Sequence, residues 1–200
     1  MMIRQSFPVW MHWLALLGSL WAMDVHAQKG SYVSLDELRQ QAFPEQSVEW
    51  QTLWVTQPQR EVMEAILGRS FRSLRVRYWG YEQRTVWVFE EVGKEMPITF
   101  GVIVDGDQID DVVVMEYRES RGGEVRHPFF TRQFQQLKLT AEQPPRLDGN
   151  IDGITGATLS VRAMTKIATL ALFCHQLTPF SADPDPSIVH EDIKQQASAP

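Results

Sequence analysis

The sequence predicts an α+β domain: a mainly antiparallel sheet packed against a long C-terminal helix. Two observations carry this. Four runs rich in Val, Ile, Trp and Tyr follow one another through the middle of the chain, at Leu74 to Tyr81, Thr85 to Val92, Ile98 to Val104 and Ile109 to Tyr117. Near the C-terminus, Gly156 to Leu177 carries Val161, Met164, Ile167, Ala168, Leu170, Ala171 and Phe173, so a helix there is apolar on most sides and belongs in the core. Strands in series with one dominant helix describe a sheet covered by that helix.

The elements follow in order. Ser34 is an N-cap with Glu37 three residues on, the capping-box pattern, and Pro44 stops the short helix it opens. Ser47 to Val55 reads as a strand, with Val48, Trp50, Thr52 and Trp54 alternating with mostly polar neighbours. Gln57 to Phe71 is helical, with Val62, Met63, Ile66 and Leu67 at three-and-four spacing and Gly68 near its end. This helix-strand-helix extension, residues 28–72, either extends the same sheet or packs over it. Asp105-Gly106-Asp107 is a hairpin turn signal between the last two strands. A polar loop with paired glycines, Arg118 to Glu124, is followed by a helix near Pro128 to Leu137. Pro144-Pro145 and Asp148-Gly149-Asn150 break the chain before the final helix. Residues 73–178 form the main domain.

The two ends of the chain read differently. Arg4, the apolar stretch Trp13 to Met23 and the small-x-small pattern Val25-His26-Ala27 make residues 1–27 a secretory signal peptide, cut after Ala27. The alternative is an uncleaved N-terminal anchor, since Phe7 to His12 is also fairly apolar. Either way the body lies in the periplasm or another extracytoplasmic space. About 173 residues remain without the leader, enough to bury roughly 70% of the unfolded surface in one core. Residues 179–200, with Pro179, Pro184, Pro186 and Pro200 among charged and small residues, read as a disordered tail.

Composition excludes several functions. Nineteen Lys and Arg against twenty-five Asp and Glu give a net charge of −6 with no basic block, so no nucleic-acid surface is expected. One cysteine cannot supply a disulfide, a four-thiolate cluster or a c-type haem attachment. Cys174 sits on the apolar helix and reads as a buried thiol. His127, His175 and His190 lack metal-ligand spacing, and no Ser-His-Asp set or dinucleotide glycine turn is present. Redox chemistry in this chain would have to use an organic cofactor.

One segment carries chemistry: Asp152-Gly153-Ile154-Thr155-Gly156-Ala157-Thr158-Leu159-Ser160, where a loop enters the long helix. A helix start presents unpaired N–H groups and the positive end of the dipole, and Gly153, Gly156 and Ala157 leave room for a phosphate. The plainer alternative is that Asp152 or Thr155 is an N-cap and the glycines serve a turn. Tyr117, Phe129 and Phe130 either cover a bound ring or belong to the core.

The nonapeptide resembles, position by position, the D-x-x-[ST]-G-A-T signature of the extracytoplasmic FMN-binding domain family. That domain is found in the flavin subunits of sodium-pumping NADH:quinone reductase and of Rnf-type complexes. The resemblance implies FMN joined by a phosphoester to Thr158, derived from FAD by a periplasmic flavin transferase, with the cofactor at the helix N-terminus. It makes Asp152, Gly153, Thr155, Gly156, Ala157 and Ser160 cofactor-site residues, Asp152 being part of what the transferase reads. The family's acidic, glycine-containing loop beside the flavin, often E-T-P-G-L-G, is matched only by Glu119, Gly122 and Gly123. The implied function is an exported electron-transfer flavoprotein serving a membrane-associated or periplasmic redox partner. A flavin-dependent reductase of a small substrate, and a non-redox assembly module keeping the fold, remain the alternatives.

Overall fold

The structure, a computed structural model, describes residues 30–182. The expected leader and residues 183–200 of the expected tail lie outside the described residues.

Six strands form one antiparallel sheet: β1 (Gly30–Ser31), β2 (Trp50–Trp54), β3 (Arg75–Tyr81), β4 (Arg84–Val92), β5 (Pro97–Asp105) and β6 (Gln108–Tyr117). Their order is β1-β6-β5-β4-β3-β2, a meander whose far edge is closed by the first strand of the chain. Among the described residues four α-helices complete it: α1 (Leu35–Ala42), α2 (Gln57–Leu67), the single turn α3 (Pro128–Thr131) and α4 (Thr158–Gln176). The α+β class is therefore as the sequence predicts. Of the two placements for the N-terminal extension, both hold in part, because β2 extends the sheet while α1 packs over one face.

α1 forms where the capping box places it. The Ser34 hydroxyl accepts from the Glu37 N–H at 3.2 Å, and Glu37 accepts from the Ser34 N–H at 2.7 Å. Its Leu38 lies over Gly101, where any side chain would overlap it. On that face Leu38, Ala42, Phe43, Val48, Trp79, Val86, Ile103 and Met115 make the smaller core. The alternation on β2 is real, but its tryptophans are not a buried stripe. Leu53 points into the main core, whereas Trp50 and Trp54 stand at the sheet edge on the opposite face, 39% and 58% exposed. Trp50 stacks on Trp79 with ring centroids 3.7 Å apart, and the Arg77 guanidinium lies 5.0 Å above it.

The main core lies between the other face and α4, whose Val161, Met164, Ile167, Ala168, Leu170, Ala171 and Cys174 are buried against β4, β5, β6 and α2. Each large apolar side chain so buried contributes roughly 1.5–3 kcal/mol. Burial pushes the Cys174 thiol far above its ordinary range, so it packs as a small apolar group. Glu91, buried on β4, accepts from Arg69 at 2.7 and 2.9 Å and faces Lys166 at 3.4 Å, tying the end of α2 and the middle of α4 to the sheet. Phe180, two residues into the expected tail, packs edge-on against Tyr78 and covers Gly80.

Two register shifts in the β5–β6 ladder set which residues face α4. Each one inverts the alternation along β6. Ile109 and Val112, and again Val114 and Tyr117, are three apart yet share the α4 face. The helix predicted near Pro128 to Leu137 is shorter: α3 gives way to a 3-10 turn at Arg132–Phe134, which buries Phe130 and Phe134.

His175, in the last turn of α4, is fully buried. Its Nδ1 lies 2.8 Å from Thr85 Oγ1, which also accepts from the Trp87 indole N–H, while Nε2 has no partner. Burial pushes the imidazole down to about 4, with the Gly106 carbonyl, Asp105 and Asp107 opposing this only in part. The unfolded chain takes up the proton below 6.5 and the folded one does not until about 4. Stability present above pH 6.5 is therefore lost as the pH falls through that window, by on the order of 3 kcal/mol. Denaturant titrations at pH 7 and pH 4.5 are expected to show this loss, and His175→Asn is expected to reduce it.

Candidate functional site

α4 starts at Thr158, two residues later than the apolar pattern suggests. Ile154 to Ala157 form a turn closed by the Ala157 N–H to the Ile154 carbonyl at 2.9 Å. Gly156 has φ +84°, the left-handed conformation a type II turn requires at its third position. Ala157 is the N-cap and is buried. Alanine has no side-chain oxygen, so no side chain caps the helix, and its first turn holds no acidic residue. Of the plainer alternative, the cap fails, because neither Asp152 nor Thr155 is the N-cap, while the turn holds at Gly156. The N–H groups of Thr158, Leu159 and Ser160 precede the first intrahelical bond, Val161 N–H to the Ala157 carbonyl at 3.0 Å, and remain available.

A cleft of about 550 Å³ opens at this point, within the range of small-ligand sites. Gly156 to Ser160 form one wall, and Lys94, Glu119, Ser120 and Arg121 the other. Thr158 is exposed, and its hydroxyl makes no hydrogen bond among the described residues.

Ser160 and Gly122, expected at the cofactor, also fix the cleft's shape. Ser160 is buried, its Oγ 3.0 Å from the Tyr117 hydroxyl. That hydroxyl donates its single proton to the Arg121 carbonyl, so Ser160 must donate to Tyr117. The register shift in β6 is what turns Tyr117 toward α4. One tyrosine thus joins β6, the Arg118–Glu124 loop and the first turn of α4. Gly122 has φ +83°, and a Cβ there would lie 2.8 Å from the Ala157 Cβ and 2.9 Å from the Tyr117 hydroxyl. Its missing side chain admits Ala157 and the helix start rather than a ligand.

Glu119 is also committed. Its Oε1 accepts from the N–H groups of Lys94, Glu95 and Met96, at 2.5, 2.7 and 3.0 Å, so it holds the turn between β4 and β5. Burial pushes its carboxyl up, but these three donors and Lys94 outweigh that and hold it below the usual carboxylate range. Gly122 and Gly123 line a smaller hollow of about 300 Å³ with Tyr32, Arg126 and His127, which shares Glu119, Ser120 and Arg121 with the cleft. Asp152, Gly153 and Thr155 are exposed and line neither; the Asp152 N–H donates to Gln133 Oε1 at 2.7 Å. Tyr117 and Phe130 are buried, whereas Phe129 is 65% exposed beside His127.

Lys94 and Arg121 were not singled out in the sequence. Nothing in spacing ties a residue of the β4–β5 turn to one 25 positions later; the Glu119 carboxylate makes that link. Among the described residues, no group of three or more His, Cys, Asp or Glu is placed to hold a metal ion, and no helix is long and apolar enough to cross a membrane.

An uncapped helix start, a threonine hydroxyl without a partner among the described residues and a cleft with two cations on its opposite wall suit an α+β domain to a phosphorylated ligand. Residues 93–172 match the family described as the FMN-binding domain. The match supports an FMN-binding domain over this stretch and, with it, flavin binding by the chain. The matched stretch begins at the β4–β5 turn and ends inside α4, so it includes both walls of the cleft. No curated protein matches the chain.

The fit at Gly122 gives a test. Gly122→Ala combines a strained φ with contact against Ala157, and should cost about 1–3 kcal/mol in a denaturant titration. Tyr117→Phe, which leaves Ser160 and the Arg121 carbonyl without their partner, should cost about 1–2 kcal/mol.

Proposed function

We propose that this chain is an exported electron-transfer flavoprotein whose FMN is joined through a phosphoester to Thr158. The observation that carries the reading is the free, exposed Thr158 hydroxyl at an uncapped helix start, on the wall of a cleft large enough for a flavin. The site suits the group. The amides of Thr158, Leu159 and Ser160 would hold the phosphate oxygens, with the helix dipole behind them. Gly156 and Ala157 put no bulk in their way. Lys94 and Arg121 offset the negative balance of the chain at this one place.

The dipole at an exposed helix end contributes only about 0.3–1 kcal/mol, too little to keep a cofactor from being lost outside the cell. A covalent bond removes that dependence. Thr158 Oγ forms the new bond to phosphorus, AMP leaves from FAD, and the hydroxyl proton passes to a base of a periplasmic flavin transferase. Asp152 is exposed, six residues before Thr158, and is accessible to such an enzyme. When bound, FMN supplies one- and two-electron transfer. The chain's residues bind, orient and partly cover it. Thr158 is exposed and Leu159 42% exposed at the mouth of the cleft, so a flavin tethered there would sit at an open site. That favours exchange of electrons with a membrane-associated or periplasmic partner over an enclosed substrate pocket. Export rests on the leader-like sequence of residues 1–27.

Coexpression with a flavin transferase, followed by intact-mass measurement, tests the reading. The wild type is expected to gain one FMN less one water, and Thr158→Ala to gain nothing. An unmodified wild type under those conditions would overturn it.

A further inference from the structure

Three backbone N–H groups converge on one oxygen of Glu119, and the turn they belong to carries a lysine into the flavin cleft. We propose that the β4–β5 turn is the cationic wall of that cleft, with Lys94 raising the reduction potential of the bound flavin and Glu119 the positioning residue that holds the turn in place. The proposal rests on the functional reading above and goes beyond it, because it assigns the tuning charge to a residue outside the signature.

The geometry supports it from both sides of the turn. Gly93 approaches Glu119 so closely that a Cβ there would lie 2.8 Å from Oε1 and 2.9 Å from the Ile98 Cδ1. The Gly93 N–H donates to the Met96 carbonyl at 3.1 Å, closing the turn on itself. With its amides spent on Glu119, the turn offers a ligand only its side chains. The ammonium of Lys94 lies 3.2 Å from Glu95 Oε1, but both side chains are largely exposed, 73% and 68%, and such a pair holds Lys94 weakly. Its charge is free to face the cleft. The Glu119 carboxylate on the same wall has one oxygen enclosed by three amide donors. It therefore presents less negative charge to a ligand than its formal value.

The physical effect has a definite sign. In an electrochemical titration, two electrons from the electrode and one proton from water convert the neutral oxidised ring to an anionic reduced one. A cation beside the ring stabilises the reduced form and moves the midpoint upward. An unscreened carboxylate would do the opposite.

The experiment uses the FMN-loaded full chain, with intact mass recorded for each variant and the potential measured by spectroelectrochemistry. Lys94→Gln is expected to shift the midpoint downward, and Lys94→Arg to restore it. Glu119→Ala is also expected to shift it downward, because the turn is released. In the flavin-free protein Glu119→Ala should speed amide hydrogen exchange at Lys94, Glu95 and Met96 while the α4 amides keep their protection. An unchanged potential in Lys94→Gln, or an upward shift in Glu119→Ala, would overturn the inference alone, given attached FMN. A wild type that acquires no FMN would overturn the functional reading and this inference with it.

Discussion

Burial of α4 on nearly every side is the constraint on which the rest of the structure depends. A helix with Val161, Met164, Ile167, Ala168, Leu170 and Ala171 all inside the core has no freedom to slide or rotate. Its N-terminus therefore occupies a fixed position, and the donors there point at a fixed place. A site made of backbone amides needs this, because its precision comes from the element that carries them and from no side chain of their own. The buried Glu91 with Arg69 and Lys166 reinforces the same placement, because a charge so enclosed tolerates little displacement from its partners.

The second wall depends on the first through small, directional contacts. Tyr117 reaches α4 only because β6 changes its alternation, and its hydroxyl then has one proton and two claimants, which fixes the direction of both bonds. Ala157 is small enough for Gly122 to lie against it. The signature residues thus divide by task. Gly156 makes the turn, Ala157 and Ser160 receive the neighbouring loop, and Thr158 is left exposed. At Gly156, Ala157 and Ser160 this segment also meets turn and packing requirements.

How much of this could be read in advance follows from where each signal resides. The Ser34–Glu37 box, the hairpin through Gly106 and the apolar circumference of α4 are local, and local patterns survive folding. The helix start at residues 156–158 was legible for the same reason. The half-covered face of β2 was not, because alternation assigns Trp50 and Trp54 to one side without saying whether α1 is long enough to cover them. The short helix at Pro128 escaped because the four-residue spacing of Phe130 and Phe134 suits a continuous α-helix, whereas the chain tightens into a 3-10 turn at Arg132–Phe134. Glu119 was singled out in the sequence, but the contacts that hold it were not legible there. Its partners are the amides of residues 94–96, and amides leave no mark in a sequence.

The two-residue strand β1 has a consequence out of proportion to its length. Gly30 pairs with Tyr117 and Ser31 with Glu116, so the chain enters the sheet beside the residue that organises the cleft. The point where the described chain enters the sheet and the placement of Tyr117 are thereby coupled through β6, while His175 lies at the opposite end of α4 from the cleft.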